Sequence, residues 1–355
     1  MKIDDIARIA SVSKSAVSLA LNGKPGVSQE TRERILKIAE ENGYTLKPLS
    51  KGQNNNQSKV FRFVACTHTG IITEQYHSQS FFMELINNID QSLTSKGYSL
   101  IISSINVDFL EQEIVNLEKQ QRSSGIILLG TNLTEEQIKT VADTQPNLIV
   151  LDTCFETLDI NFILMNNVFG AYQAGEYLIK LGHKEIGYVE SSYSMYNFDM
   201  RKRGFKKAIL ENNLTIKPEH TFQMSPTDIS VHEGFKESIL ELKDNLPTAI
   251  FCESDYMAIS VIKSLNELNI NVPADLSVIG FDNIVESQIV SPELTTIHVK
   301  KDKIAALAVE KLIREIDNNE DDKMKIFIDT ELVERKSCIK KEESVIARLD
   351  TDVVL

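Results

Sequence analysis

A small helical head joined to a body of two doubly wound α/β units is the fold class that the 355 residues predict. Three observations carry it. Residues 4–41 hold three stretches with apolar positions at helical spacing, and residues 52–59 (GQNNNQSK) form a polar stretch that can bury nothing. From residue 60 onward, β-like apolar runs alternate with amphipathic segments, in two successive series. At roughly 150 residues per domain the length allows two or three folded units, and 42% hydrophobic with 25% charged residues is an ordinary globular composition.

In the head, Ile6, Ala7, Ala10, Val12, Val17, Ala20 and Leu21 fit two short helices separated by Ser11-Val12-Ser13. Ser13 is a good N-cap for the second of them, and leaves Lys14, Ser15 and Ser18 on its exposed N-terminal part. Ser28-Gln29-Glu30-Thr31 opens a third helix with Val27, Thr31, Ile35, Ile38 and Ala39 inward. Such an arrangement reads either as a plain three-helix bundle or as a helix-turn-helix whose second helix enters the major groove of DNA. Charge favours the second. Residues 1–59 hold ten Lys and Arg against six Asp and Glu, while the rest carries 28 against 45, a basic head on an acidic body.

The body begins with strand-like runs at 60–66, 98–105, 125–129 and 148–151, separated by helical patterns at 79–96, 109–121 and 134–144. After a run at 162–165, helices are expected at 168–181, 199–212, 229–243 and 256–268, with strands at 186–189, 249–252 and 277–281 and a short one near Phe222. Two open α/β sheets in tandem make a cleft lined by the carboxyl ends of strands. That body suits a ligand receptor or a cleft enzyme. No dinucleotide or phosphate-binding glycine fingerprint and no His-Glu-x-x-His is present, so no reaction, cofactor or metal is assigned. His183 lies in a turn away from any nucleophile and reads as structural, and Cys66, Cys154, Cys252 and Cys338 lie far apart, as buried inert thiols do. No apolar run approaches the roughly 18 residues of a membrane span, and the N-terminus is charged, so a cytoplasmic protein with no membrane partner is expected.

Asp5-Ile6-Ala7, Ala10, Val12-Ser13, Val17-Ser18, Leu21-Asn22-Gly23, Val27-Ser28, Glu30-Thr31-Arg32 and Asn42-Gly43-Tyr44 resemble, in order and spacing, the DNA-binding head of the LacI/GalR family of bacterial transcriptional repressors. The resemblance continues through Leu181-Gly182-His183-Lys184-Glu185-Ile186-Gly187, Arg201-x-x-Gly204-Phe205, Pro247-Thr248-Ala249-Ile250, Asp255-x-Met257-Ala258, 272–282 and Leu294-Thr295-Thr296-Ile297. It implies an all-α helix-turn-helix head (1–48), a hinge or linker (49–59), a periplasmic-binding-protein-like body (60–338) and a tail (339–355). Crossovers between the two subdomains are expected near Asn166, Ser291 and Met324. That assigns 60–165 and 292–323 to the first subdomain and 166–291 and 324–338 to the second, with 325–333 as a last strand of the second. A homodimer on pseudo-palindromic operator DNA, controlled by a sugar or sugar derivative and governing carbohydrate-utilisation genes, is the function implied. A dimer rather than a tail-zippered tetramer is expected, because Ile346, Leu349 and Val353 make too short a zipper.

By this resemblance Lys14, Ser15 and Leu19, presented at the DNA after the N-cap Ser13, lie at the bases, where Leu19 can meet a thymine methyl but cannot grip guanine as an Arg would. Ser18, Asn22, Thr31 and Arg32 are matched to phosphates, with Ser18 alternatively a plain exposed residue. In the cleft, Arg201 and Asp255 match the family's ligand-gripping pair, or else form a cross-cleft salt bridge. Phe81, Tyr196 and Phe198 are candidates to stack on a sugar face or to be ordinary core. Asn166 and Asp282 lie near crossovers, and Asp282 is alternatively structural.

The hinge departs from the family pattern. Leu46-Lys47-Pro48-Leu49-Ser50-Lys51-Gly52-Gln53 puts Gln53 at the minor-groove wedge position, and Pro48 and Gly52 both disfavour a helix interior, with Leu49 as a substitute wedge. A weak hinge helix and little DNA bending are expected; a sharp kink in a circular-permutation gel assay would overturn this.

Overall fold

The computed structural model describes residues 3–21, 26–41, 60–68, 72, 76–243, 245–318 and 321–341. The hinge, Asn22 and the tail beyond 341 lie outside the described residues. The chain divides into two units, 1–58 and 59–355.

The head contains α1 (Ile3–Ile9), α2 (Lys14–Leu21) and α3 (Gln29–Glu41), closed over Ile6, Ala10, Val17, Ala20, Ile35 and Ala39. Ser13 caps α2, its Oγ accepting the Ala16 N–H at 3.1 Å. Ser11 turns the chain between α1 and α2 with φ +53°, a conformation that non-glycine residues seldom adopt. From α3, the Arg32 guanidinium donates to the Leu19 and Ala20 carbonyls at 3.4 and 3.1 Å, satisfying the C-terminal end of α2.

The body's first series runs β1 (Val60–Thr67), α4 (Ser80–Ser95), β2 (Ser99–Asn106), α5 (Leu110–Gln120), β3 (Ile126–Leu129), α6 (Glu135–Thr144), β4 (Leu148–Leu151) and β5 (Asn161–Met165). The second runs α7 (Asn167–Lys180), β6 (Ile186–Ser191), α8 (Tyr196–Glu211), β7 (Thr221–Met224), α9 (Glu233–Leu242), β8 (Ala249–Cys252), α10 (Asp255–Glu267), β9 (Ser277–Asp282) and β10 (Thr295–His298). The last elements among the described residues are α11 (Lys301–Asn318), β11 (Lys325–Ile328) and β12 (Glu331–Val333). One sheet has the order β11-β5-β4-β3-β1-β2 and the other β12-β10-β9-β8-β6-β7. All pairs are parallel except β12, which runs antiparallel to β10. Among the described residues no helix is long and apolar enough to cross a membrane.

Two crossovers differ from expectation. The second falls after β10 rather than near Ser291, because Thr295, Thr296 and Ile297 are fully buried and extend the second sheet beside Ile279–Phe281. The third falls at Asp329-Thr330 rather than at Met324. The run 325–333 is two strands, Lys325–Ile328 pairing with β5 in the first sheet and Glu331–Val333 with β10 in the second. The first crossover lies between Met165 and Asn167, where Asn166 caps α7 through the Phe169 N–H and donates to Asp329 at 2.8 Å, tying two crossovers together.

Close packing of α7 on α8 explains Gly204. A Cβ there would lie 2.1 Å from the Val168 carbonyl oxygen, and one at Gly175 would lie 2.7 Å from Ala208 Cβ. Below these helices Phe205 stacks on Phe251 at 4.6 Å. Gly204→Ala should therefore force the helices apart at a cost of about 3 kcal/mol, measured by urea unfolding. Gly234→Ala, whose nearest neighbour is 3.4 Å away, should be neutral or slightly stabilising.

Candidate functional site

The carboxyl ends of strands from both sheets face one cavity. From the first lobe come Gln79, Phe81 and Phe82 at the start of α4 and Asp152 just past β4; from the second come Met195, Asn197, Phe198 and Arg201 around α8, Pro226 and Thr227 past β7, Ser254 and Tyr256 past β8, and Asp282 closing β9. Aromatic walls thus surround a convergent set of polar groups.

Arg201 organises the second lobe's share. It is 3% exposed, and three of its five N–H donors are committed: Nε to Asn167 Oδ1 at 2.9 Å, Nη1 to the Glu253 carbonyl at 2.5 Å and Nη2 to Asp282 Oδ1 at 2.9 Å. Its guanidinium carbon lies over the Phe281 ring, 3.8 Å from the ring centre. Across the cleft, Asn197 donates to Asp152 through its Oδ1 at 2.6 Å and its carbonyl at 3.0 Å, and Thr131 donates its hydroxyl to the other carboxylate oxygen. Asp152 and Asp282 hold φ at +65° and +118°, strained for residues with a Cβ.

Four of the seven cleft candidates therefore meet at this cavity: Phe81, Phe198, Arg201 and Asp282. Three do not. Asp255 is completely buried beneath Gly280, accepting from Thr296 Oγ1 at 2.5 Å and the Ile284 N–H at 3.0 Å. Arg201 accordingly pairs with Asp282 inside one lobe, not with Asp255 across the cleft. Tyr196 is half-buried against the core, and Asn166 belongs to the crossover. Asp152, Asn197 and Tyr256 were not foreseen. Asp152 directly follows the apolar run 148–151, a signal weaker than the family match that singled out Asp255.

In the head, Lys14 and Ser15 are exposed on the first turn of α2, Leu19 and Thr31 are half-buried, and Arg32 reaches α2's carbonyls rather than pointing freely outward. The Ser18 side chain and Asn22 lie outside the described residues. His183 is a clasp, its Nδ1 2.9 Å from Thr248 Oγ1 and its Nε2 3.0 Å from the Ile339 carbonyl. All four thiols are free, and burial lifts those of Cys66 and Cys338 to about 12 and that of Cys154 to about 11.

A small helical head of the kind that enters the major groove, on a cleft-bearing two-lobed body, defines a ligand-regulated DNA-binding protein. Comparison with known proteins fixes the family. Residues 2–46 match the model for "Bacterial regulatory proteins, lacI family" and residues 176–338 the model for a periplasmic binding protein-like domain. The chain is 32% identical over 338 residues (94% of this chain, 97% of the relative) to a Bacillus subtilis protein described as "Probable HTH-type transcriptional repressor ExuR". It is 31% identical over 343 residues (95% and 96%) to the HTH-type transcriptional repressor PurR of Photorhabdus laumondii. The lac repressor dimer bound to operator and the anti-inducer ONPF superposes with a TM-score of 0.68 at 24% identity, covering 96% of this chain and 99% of that one. The chain belongs to the lacI family of bacterial regulatory proteins, and is a DNA-binding transcriptional repressor, not an enzyme.

Burial lifts four carboxyls in and beneath the cleft: Asp152 to about 6, Glu253 to about 7, Asp255 to about 8, and Asp282 upward against the pull of Arg201 and Lys301. These groups hold protons more tightly in the folded chain than the roughly 4 of an unfolded carboxyl. Their protonated forms therefore favour folding below about pH 4, and that contribution is lost as pH rises to about 8. Melting temperature should fall between pH 5 and pH 8.5, and fall less in Asp255→Asn, as calorimetry at the two pH values would show.

Proposed function

We propose that this protein is a homodimeric cytoplasmic repressor of carbohydrate-utilisation genes, whose operator affinity is set by a sugar-type effector in the cleft between its lobes. The observation that carries the reading is the convergence of Asp152, Asn197, Arg201 and Asp282 on one aromatic-walled cavity. A sugar presents an apolar C–H face and a rim of hydroxyls that both donate and accept. Phe81, Phe198 and Tyr256 suit the face; the two carboxylates accept from hydroxyls, and Asn197 with the remaining Arg201 donors supply the reverse polarity. Two carboxylates against one guanidinium disfavour an anionic ligand. In this reading Asp255 and Asn166 support the site from behind, and Tyr196 is core.

On the DNA side, Ser13 orients α2, Lys14, Ser15 and Leu19 meet base edges, and Ser18, Asn22, Thr31 and Arg32 set the helix on the phosphates. Two heads are required, since a net charge of about +4 gives one head little affinity of its own. Effector binding acts by population shift, because only the arrangement that brings both lobes to the ligand gains its binding energy.

A thermal-shift screen of sugars, sugar phosphates and nucleobases tests this. At a concentration 100 times Kd the effector adds about 2.7 kcal/mol, raising the melting temperature by several degrees. A neutral sugar should produce that shift, and Arg201→Lys, which keeps the charge but loses the fork, should abolish most of it relative to its own baseline. A response confined to nucleobases, or to none of the compounds, refutes the sugar reading.

A further inference from the structure

Helix α4 begins the first lobe's wall of the cavity, yet its own N-terminus is poorly finished. Its cap residue, Gln79, makes no side-chain capping hydrogen bond, and its first turn, Ser80-Phe81-Phe82-Met83, contains no acidic residue. Both deficits are met from the opposite lobe. The Phe81 N–H donates to the Tyr256 hydroxyl at 3.2 Å, and the Ser80 hydroxyl donates to a Glu286 carboxylate oxygen. Tyr256 stands in the first turn of α10 and Glu286 in the 3-10 turn Val285–Gln288 that follows β9, so both belong to the second lobe. The Glu286 charge also lies at the positive end of the α4 dipole. A third link stands beside them: Lys301, with its side chain wholly buried, reaches Glu84 of α4 at 3.0 Å and the Asp282 carbonyl at 3.2 Å, its ammonium 5.2 Å from the centre of the Phe81 ring.

We propose that Tyr256 and Glu286 are positioning residues that cap α4 in trans, so that this helix has a finished N-terminus only when the lobes meet. Opening the cleft strips the Phe81 amide and the Ser80 hydroxyl of these partners and leaves Glu286 without its donor. The cap thereby sets the closed-to-open ratio before any ligand arrives, and with it the fraction of molecules ready to bind. The coupling is local. Phe81 and Tyr256 both line the cavity, so the bond that holds the lobes together also holds two of the rings proposed above to flank the effector.

The device rests on the effector reading only for its consequence, so its test needs no effector. Glu136 and Ser230 are exposed and follow the cleft-facing ends of β3 and β7. Cysteines placed there and spin-labelled report lobe separation in the full-length protein, with labelled protomers diluted into unlabelled ones. Cys66, Cys154 and Cys252 are buried, and burial raises all four native thiols, so labelling favours the introduced pair. Ligand-free protein should show mainly the short distance. Tyr256→Phe, which keeps the ring, and Glu286→Ala should each move the closed-to-open ratio roughly five-fold toward open, the worth of one net hydrogen bond. Ser80→Ala, made from the other lobe, should open the cleft like Glu286→Ala, and the double variant should open it no further than either single one. Unchanged distance distributions in folded variants, additive effects of Ser80→Ala and Glu286→Ala, or a native protein dominated by the long distance would overturn the proposal. None of these outcomes depends on whether the ligand is a sugar.

Discussion

The guanidinium of Arg201 organises the second lobe's wall of the cleft, on which the rest of the site depends. It joins α7 through Asn167, the end of β8 through the Glu253 carbonyl and the end of β9 through Asp282, while Phe281 supports its face. Its charge acts on Asp152 and Asp282, with Asp255 buried next to Asp282, and burial drives all three toward holding a proton. Without a cation in their midst, several carboxylates so near one another could not remain ionised in a dry interior. Breaking a buried pair of this kind typically costs about 3–5 kcal/mol, because the surviving charge is left uncompensated. Lys301 lowers both Asp255 and Asp282, and Arg201 adds its charge at Asp282.

From this centre the division of labour between the lobes follows. The second lobe contributes Arg201 and Asp282 as a rigid, prebonded pair; the first contributes Asp152 and the rings of α4. A ligand touching both sets gains its full binding energy only when the lobes are joined, which is the differential affinity that any ligand-driven shift requires. The crossovers are suited to such motion. Asn166 and Asp329 bond to each other, and Lys300, beside the remaining crossover, pairs with Glu331, so the connecting strands lie together and can bend as one hinge.

Much of this was legible in the sequence, for reasons that can be stated residue by residue. Apolar runs alternating with amphipathic segments announce parallel strands and covering helices, because burial on both faces of a sheet demands it. Arg201 and Asp255 were legible through the family motifs Arg201-x-x-Gly204-Phe205 and Asp255-x-Met257-Ala258, Phe81 and Phe198 as rings suited to stacking, and Asp282 by its place near a crossover. None of these signals marked Asp152. One strand-end carboxylate turns under Gly280 to bind Thr296, whereas the other turns into the cavity with a left-handed backbone, and nothing in the local pattern separates them. Sheet membership was equally hidden. The run 325–333 looks like one strand, and only the polar pair Asp329-Thr330 marks where it passes from one sheet to the other.

That split strand has a consequence for the order in which the protein is made. The first lobe's sheet closes with β11 and is covered in part by α11, both drawn from residues 301–328, while its other five strands end at Met165. On the ribosome, almost the whole second lobe must therefore emerge before the first can be completed. For the time it takes to synthesise those intervening residues, the nascent first lobe carries β5 as an unpaired sheet edge, the kind of surface that recruits chaperones or stray strands. Neither lobe is whole until these late residues arrive: β11 closes the first sheet, and β12, next in the chain, closes the second.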